Sequence, residues 1–79
     1  MRVQFFAQVR DLIKTDTADV DLNNGANVSD MLENLYQKFP ALRGHDKTIL
    51  VGAGVEFVGR DYKLKSNDEI AIMPPVQGG

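Results

Sequence analysis

The sequence predicts an α+β fold, a mixed sheet of about five strands with one main helix packed across one face. Three observations carry that expectation. Short runs rich in Val, Phe and Ile alternate apolar and polar residues at both ends of the chain. One stretch between them repeats apolar residues at helical spacing. The chain has 79 residues, which suits one domain spanning 1–79, with 74–79 as an extended C-terminal tail.

Residues 2–9 alternate and read as a strand, followed by a charged, Thr-rich connection over 10–17. Residues 18–22 alternate again, with Ala18, Val20 and Leu22 on one side, so a hairpin with the first strand is expected. Asn23-Asn24-Gly25 punctuates the chain. Val28, Met31, Leu32, Leu35, Tyr36 and Phe39 then form one apolar stripe on a helix. Asn27 suits its N-cap, Asp30 favours its positive end, and Pro40 stops it. Residues 40–47 read as a loop, 48–51 as a strand, 52–54 as a turn and 55–58 as a further strand. The polar stretch 59–68 offers Leu64 as an inward anchor, and 69–73 is the last strand. Because the helix lies in the crossover between them, the first and last strands can run parallel at the sheet centre. This is a β-grasp, or ubiquitin-like, arrangement.

Composition bounds the function. Hydrophobic residues make up 43% and charged residues 25%, a globular balance. A body this small buries only about 60% of the surface its unfolded chain exposes. There is no cysteine, which excludes disulfides, cysteine-based zinc sites and a thiol nucleophile, and fits a reducing cytoplasm. A net charge of −2 gives no basic footprint for nucleic acid. Gln4, Gln8 and Arg10 interrupt any signal-peptide core, and no apolar run is long enough to span a membrane.

The segment Pro74-Pro75-Val76-Gln77-Gly78-Gly79 is the most distinctive in the sequence. Proline holds φ near the polyproline value, so the tail is expected to project from the body. At about 3.1 Å per residue it reaches roughly 18 Å, enough to enter a partner's active site. Glycine without a Cβ lets a partner approach closely. A frayed terminus is the plain alternative.

The body shows no catalytic set. His45 stands in a polar loop with no second metal ligand at a recognisable spacing. Asp68 and Glu69 follow Ser66-Asn67 in what reads as a turn rather than an acid–base pair, and no metal site is expected. Gly52-Ala53-Gly54 lacks the helix start a phosphate cradle needs. The remaining chemical group is the terminal carboxylate of Gly79. A carboxylate becomes reactive through activation by ATP as an acyl adenylate, performed by another protein, and a sulfur donor can then convert such an end to a thiocarboxylate.

Alternation also predicts a docking face. If Val3, Phe5, Ala7 and Val9 point at the helix, then Gln4, Phe6 and Gln8 point away. If Ile70 and Ile72 point at the helix, Glu69, Ala71 and Met73 point away. Phe6 and Met73, with Phe57 joining them, then form an apolar patch on the open side of the sheet, where polar residues are usual.

In Val3-Gln4-Phe5-Phe6-Ala7-Gln8-Val9-Arg10, in Leu64 with Asn67-Asp68-Glu69-Ile70-Ala71, and in the Pro-Pro-Val-Gln-Gly-Gly ending, the whole chain resembles the MoaD family of ubiquitin-like sulfur carriers, small subunits of molybdopterin synthase. The chain departs from the family pattern where Asn67 replaces a usual Gly, where Asp11 follows Arg10 in place of Glu, and at Gly52-Ala53-Gly54. The resemblance implies that Gly79 is adenylated by an E1-like adenylating enzyme that uses ATP and then carries sulfur as a thiocarboxylate, this chain binding no cofactor itself. It implies that Pro74, Pro75, Val76, Gln77 and Gly78 thread into the large subunit of molybdopterin synthase, in a heterotetramer. There sulfur passes to cyclic pyranopterin monophosphate. It also places Phe6, Phe57 and Met73 on the docking face.

Other readings stay open: a sulfur carrier for thiamine thiazole synthesis, a ubiquitin-like modifier joined to lysine through Gly79, and a β-grasp binding module with an inert tail. Pro74-Pro75-Val76 favours the molybdopterin carrier over the thiazole carrier.

Overall fold

A computed structural model describes residues 1–23 and 25–75. Eight elements follow one another: β1 (Arg2–Phe5), α1 (Ala7–Ile13), β2 (Thr17–Asp19), α2 (Val28–Lys38), α3 (Pro40–Arg43), β3 (Leu50–Ala53), β4 (Glu56–Val58) and β5 (Ile70–Met73). The strands form one mixed sheet in the order β2-β1-β5-β3-β4. β1 and β5 run parallel at its centre, with Val3 opposite Ile70 and Phe5 opposite Ile72. The other three pairings are antiparallel.

The core lies on one side of this sheet. Val3 and Phe5 of β1, Val51 of β3, and Ile70 and Ile72 of β5 are buried there against Val28, Met31, Leu32, Leu35 and Tyr36 of α2. Phe39 meets Phe5 edge to face, ring centroids 5.8 Å apart at 75°, a geometry that aromatic quadrupoles favour. Leu64 packs against the same core. Asn27 and Asp30 form a reciprocal capping box, the Asn27 side chain accepting from the Asp30 amide at 2.9 Å and Asp30 accepting from the Asn27 amide at 3.0 Å.

The N-terminal strand is shorter than the alternation predicts. β1 stops at Phe5, and residues 7–13 are helical instead of continuing as strand and connection. Val9 is buried as expected, but from α1, whereas Ala7 is exposed. The even spacing of Val3, Phe5 and Val9 fits both readings, because Val9 and Ile13 are also one helical turn apart. Ala7 takes φ 53°, a left-handed conformation that ends the strand abruptly and costs an L-residue about 1–2 kcal/mol. β1 and β2 pair antiparallel as predicted, but a helix rather than a simple turn joins them. Further boundaries move: β2 covers 17–19 instead of 18–22, so Val20 and Leu22 lie beyond the strand, and β5 begins at Ile70 instead of Glu69. Pro40 opens the short helix α3 inside the predicted loop, since proline suits a first helical turn. β3 covers 50–53, so Gly52 and Ala53 belong to a strand. Gly54, at φ 65°, and Val55 make the turn into β4.

One polar cluster braces the side of the core. The Tyr36 hydroxyl donates to Asp46, and Arg60 donates from Nη1 to Asp46 Oδ1 at 3.1 Å and from Nη2 to the Asp46 carbonyl oxygen. The Arg43 guanidinium lies 5.0 Å from the Tyr36 ring centroid and pairs with Glu33 at 3.1 Å. Burial, and then the bond to Asp46, push the Tyr36 hydroxyl from 10.0 to about 12. The bond from Tyr36, assisted by Arg60, holds the Asp46 carboxyl below its ordinary value.

Two outcomes test this account. The folded state keeps a Tyr36 proton that the unfolded chain releases, so the associated stability is complete below pH 10 and is lost as pH rises through about 12. Denaturant titrations across that window should show a smaller alkaline loss for Tyr36→Phe than for the wild type. Lys14, which ends α1 in the left-handed region at φ 61°, should give about 0.5–1 kcal/mol of added stability on substitution Lys14→Gly, read from the urea midpoint.

Candidate functional site

The side of the sheet away from α2 carries the candidate site. Strand register places Gln4, Ala71, Gly52 and Phe57 in one row across β1, β5, β3 and β4. Met73 stands opposite Leu50 in the next row. The Phe6 amide donates to the Ile72 carbonyl at 3.1 Å, which extends the β1–β5 register and sets Phe6 alongside Met73. Phe6 is 42% exposed and Phe57 62% exposed, whereas Phe5, one residue from Phe6, is 1% exposed. Period-two alternation therefore divides the two adjacent phenylalanines between core and surface.

Gly52 explains how Met73 lies on this face. A Cβ at Gly52 would come within 3.3 Å of the Met73 terminal methyl. The missing side chain leaves a shallow bed, and the flexible Met73 thioether covers it. Met73 so links Phe6 on its own side with the Gly52–Phe57 pair on the other. Leu50 and Gly52 are members of this face that sequence reasoning did not place there. The signal was present in the period-two pattern, but the strand was expected two residues early.

β5 leads directly into Pro74, half-buried, and Pro75, exposed. Both line a groove of about 410 Å³ whose other walls include Leu12 of α1 and the turn residues His45 and Ile49. Leu12 is 39% exposed there. This groove depends on α1, which stands where the residue pattern predicts strand and connection. Of the predicted site residues, Phe6, Phe57, Met73, Pro74 and Pro75 are thus brought to one end and one face of the sheet. Val76, Gln77, Gly78 and Gly79 lie outside the described residues.

Asp68 and Tyr62 have structural surroundings. Asp68 accepts from the Lys65 amide at 2.8 Å and from the Tyr62 hydroxyl at 3.2 Å, which closes the turn before β5. Burial, and then Asp68, raise the Tyr62 hydroxyl above its ordinary range. Among the described residues no group of three or more His, Asp or Glu is placed to hold a metal ion, and no helix is long and apolar enough to cross a membrane. The arrangement leaves large apolar side chains exposed on one face of the sheet, with Pro74 and Pro75 following its central strand.

A mixed five-stranded sheet with parallel central strands and a helix across one face defines a ubiquitin-like β-grasp protein. The ThiS family model matches residues 3–79, and the chain belongs to that family. It is 33% identical over 81 residues to the molybdopterin synthase sulfur carrier subunit of Chlamydomonas reinhardtii, covering 100% of this chain and 98% of that protein. It is 36% identical over 81 residues to the subunit of the same name from Drosophila yakuba, covering 100% and 90%. Among solved structures, it resembles the small archaeal modifier protein SAMP1 from Haloferax volcanii with a TM-score of 0.86 and 29% identity, over 99% of this chain and 97% of that one.

Because Phe6 and Phe57 point outward, Phe6→Asp and Phe57→Asp should each change unfolding free energy by less than about 1 kcal/mol. Phe5→Asp, which buries a charge, should cost several kcal/mol and abolish cooperative unfolding. Equal losses for Phe5 and Phe6 in urea titrations would show that the faces are assigned wrongly.

Proposed function

We propose that this chain is the sulfur carrier subunit of a molybdopterin synthase. The observation that carries the reading is its identity, along its whole length, to proteins of that name in a green alga and a fly. The chemistry is assigned to Gly79. An E1-like partner joins the Gly79 carboxylate to the AMP moiety of ATP and releases pyrophosphate. A sulfur nucleophile then displaces AMP and leaves a thiocarboxylate. In the large subunit the thiocarboxylate sulfur bonds to a carbon of cyclic pyranopterin monophosphate and displaces an oxygen substituent there, and water then hydrolyses the acyl–sulfur bond, which leaves the sulfur on the pterin and restores the Gly79 carboxylate.

The body's role is to dock. Phe6, Met73 and Phe57 offer an apolar surface, and Pro74, Pro75, Val76, Gln77 and Gly78 are assigned to the segment that enters the large subunit. Met and aromatic side chains of this kind are enriched at interface cores. The absence of cysteine is compatible with this scheme, since sulfur rides on the chain end.

A second reading draws on the likeness to the small archaeal modifier protein. As a modifier, the chain would form an isopeptide bond between Gly79 and a lysine of another protein. Gly79 activation is common to both readings, and only the acceptor differs.

Incubation with the adenylating partner, ATP and a sulfur donor should raise the intact mass by the difference between sulfur and oxygen. A chain extended by a single residue after Gly79 should keep its fold and gain no such mass. Loading of the extended chain would refute the assignment to Gly79. Phe6→Asp should weaken capture by the large subunit while leaving the melting temperature nearly unchanged. Conjugates on lysine, without free thiocarboxylate, would favour the modifier.

A further inference from the structure

The two edges of the sheet are finished differently. Beside β2, Met1 and Val20 exchange both backbone bonds, at 3.0 and 2.8 Å, and the Phe5 amide donates to the Asp16 carbonyl at 2.8 Å. Antiparallel alternation makes Val3 and Ala18 the bonded pair between them, so the backbone groups of Thr17 and Asp19 point out from the edge. Side chains cap both of those carbonyls. The Thr15 hydroxyl donates to the Thr17 carbonyl at 3.0 Å, and Lys38 Nζ donates to the Asp19 carbonyl at 2.6 Å. An edge covered in this way resists the addition of a further strand.

β4, at the other edge, has no such cover. The Gly54 amide donates to the Glu69 carbonyl, just before β5, at 2.9 Å. The backbone groups of Gly52 and Gly54 therefore turn toward β5, and those of Val51 and Ala53 turn toward Val58 and Glu56 of β4. Phe57, between them, aims its amide and carbonyl outward, and no hydrogen bond from a described residue reaches either. Its ring is exposed on the open face, and Val55 at the adjoining turn is fully exposed. Glu56 and Asp61 border the edge without an ion-pair partner among the described residues.

We infer that the free edge of β4 pairs with an extended strand of the large subunit, one that carries a basic side chain toward Glu56 and Asp61. This rests on the proposed carrier function. In strand addition, main-chain bonds give affinity and flanking side chains give choice. Three features select this occupant. Phe57 belongs both to the edge and to the apolar face with Phe6 and Met73, so a partner covering that face reaches the edge without a break. The unpaired carboxylates call for a cation. A strand of 3 residues is also too short to supply the roughly 800 Å² per partner of a stable interface, so a second copy joined edge to edge lacks the area.

The experiment follows amide hydrogen exchange by NMR in the full chain, free and bound to the large subunit. In the free chain the Phe57 amide should exchange at least about tenfold faster than those of Glu56 and Val58, which face β3. In the complex it should slow on the order of a hundredfold, while the Thr17 and Asp19 amides stay fast. Replacing Phe57 by its α-hydroxy analogue removes the N–H and keeps the ring. That change should weaken capture about five- to tenfold and leave the melting temperature nearly unchanged. Glu56→Lys should weaken capture severalfold, and more so at low salt. Capture that leaves the Phe57 amide exchanging fast, or that survives either change undiminished, overturns the inference and leaves the carrier reading standing. Protection of Phe57 in the free chain that grows with concentration gives the edge to a second copy and overturns the inference too. A large subunit that never captures the wild type refutes both.

Discussion

Val3 opposite Ile70 and Phe5 opposite Ile72 join the two ends of the chain at the centre of the sheet. Parallel strands cannot be joined by a tight turn, so a long crossover must link them, and here that crossover contains α2, β3 and β4. The pairing fixes which side chains face α2, and with period-two alternation it fixes which face away. A slip of one residue between β1 and β5 would bury Gln4 and expose Phe5. The exposed apolar face, the Met73 position and the place where Pro74 follows β5 all depend on that register.

The two faces of the sheet do different work. One is closed by α2 and holds the apolar core, in which no described buried side-chain nitrogen or oxygen lacks a partner. The other bears large apolar groups without an apolar cover of their own, save for Met73 lying over Gly52. Leaving Phe57 at 62% exposure forgoes burial that would otherwise favour folding. Such an arrangement suits a molecule whose chemistry is supplied by other proteins and whose own task is to be gripped. α1 adds to this division. The left-handed Ala7 costs local stability, but it turns the chain out of the sheet directly after Phe6, and the helix it begins supplies the Leu12 wall beside the prolines.

Much of this was legible in the residues. The α2 stripe from Val28 to Phe39 and the Asn27 cap were visible because helical period and capping chemistry are local. The parallel central pair followed from topology, and the outward Phe6 followed from alternation. α1 was not legible, because Val3, Phe5 and Val9 satisfy a strand pattern as well as they satisfy a strand broken by a helix. What decides between them is a strained residue at Ala7 that only tertiary packing holds in place. β3 was displaced because Gly52-Ala53-Gly54 looks like turn chemistry, whereas Gly52 is a strand residue under a methionine side chain. The Asp46 brace unites residues 36, 46 and 60, and no local pattern announces such a meeting.

The central position of β5 also bears on how the molecule is made. Synthesis proceeds from the first strand to the last, and β1 must wait, without its parallel neighbour, until α2, β3 and β4 have emerged and β5 follows. Non-local pairing of this kind is slow to form. A nascent chain cut short before Ile70 has neither the middle of its sheet nor the residues that seat Phe6 beside Met73. A product that ends before Ile70 therefore cannot imitate one that includes β5, and it exposes the apolar residues of β1 and β3 that β5 would otherwise cover.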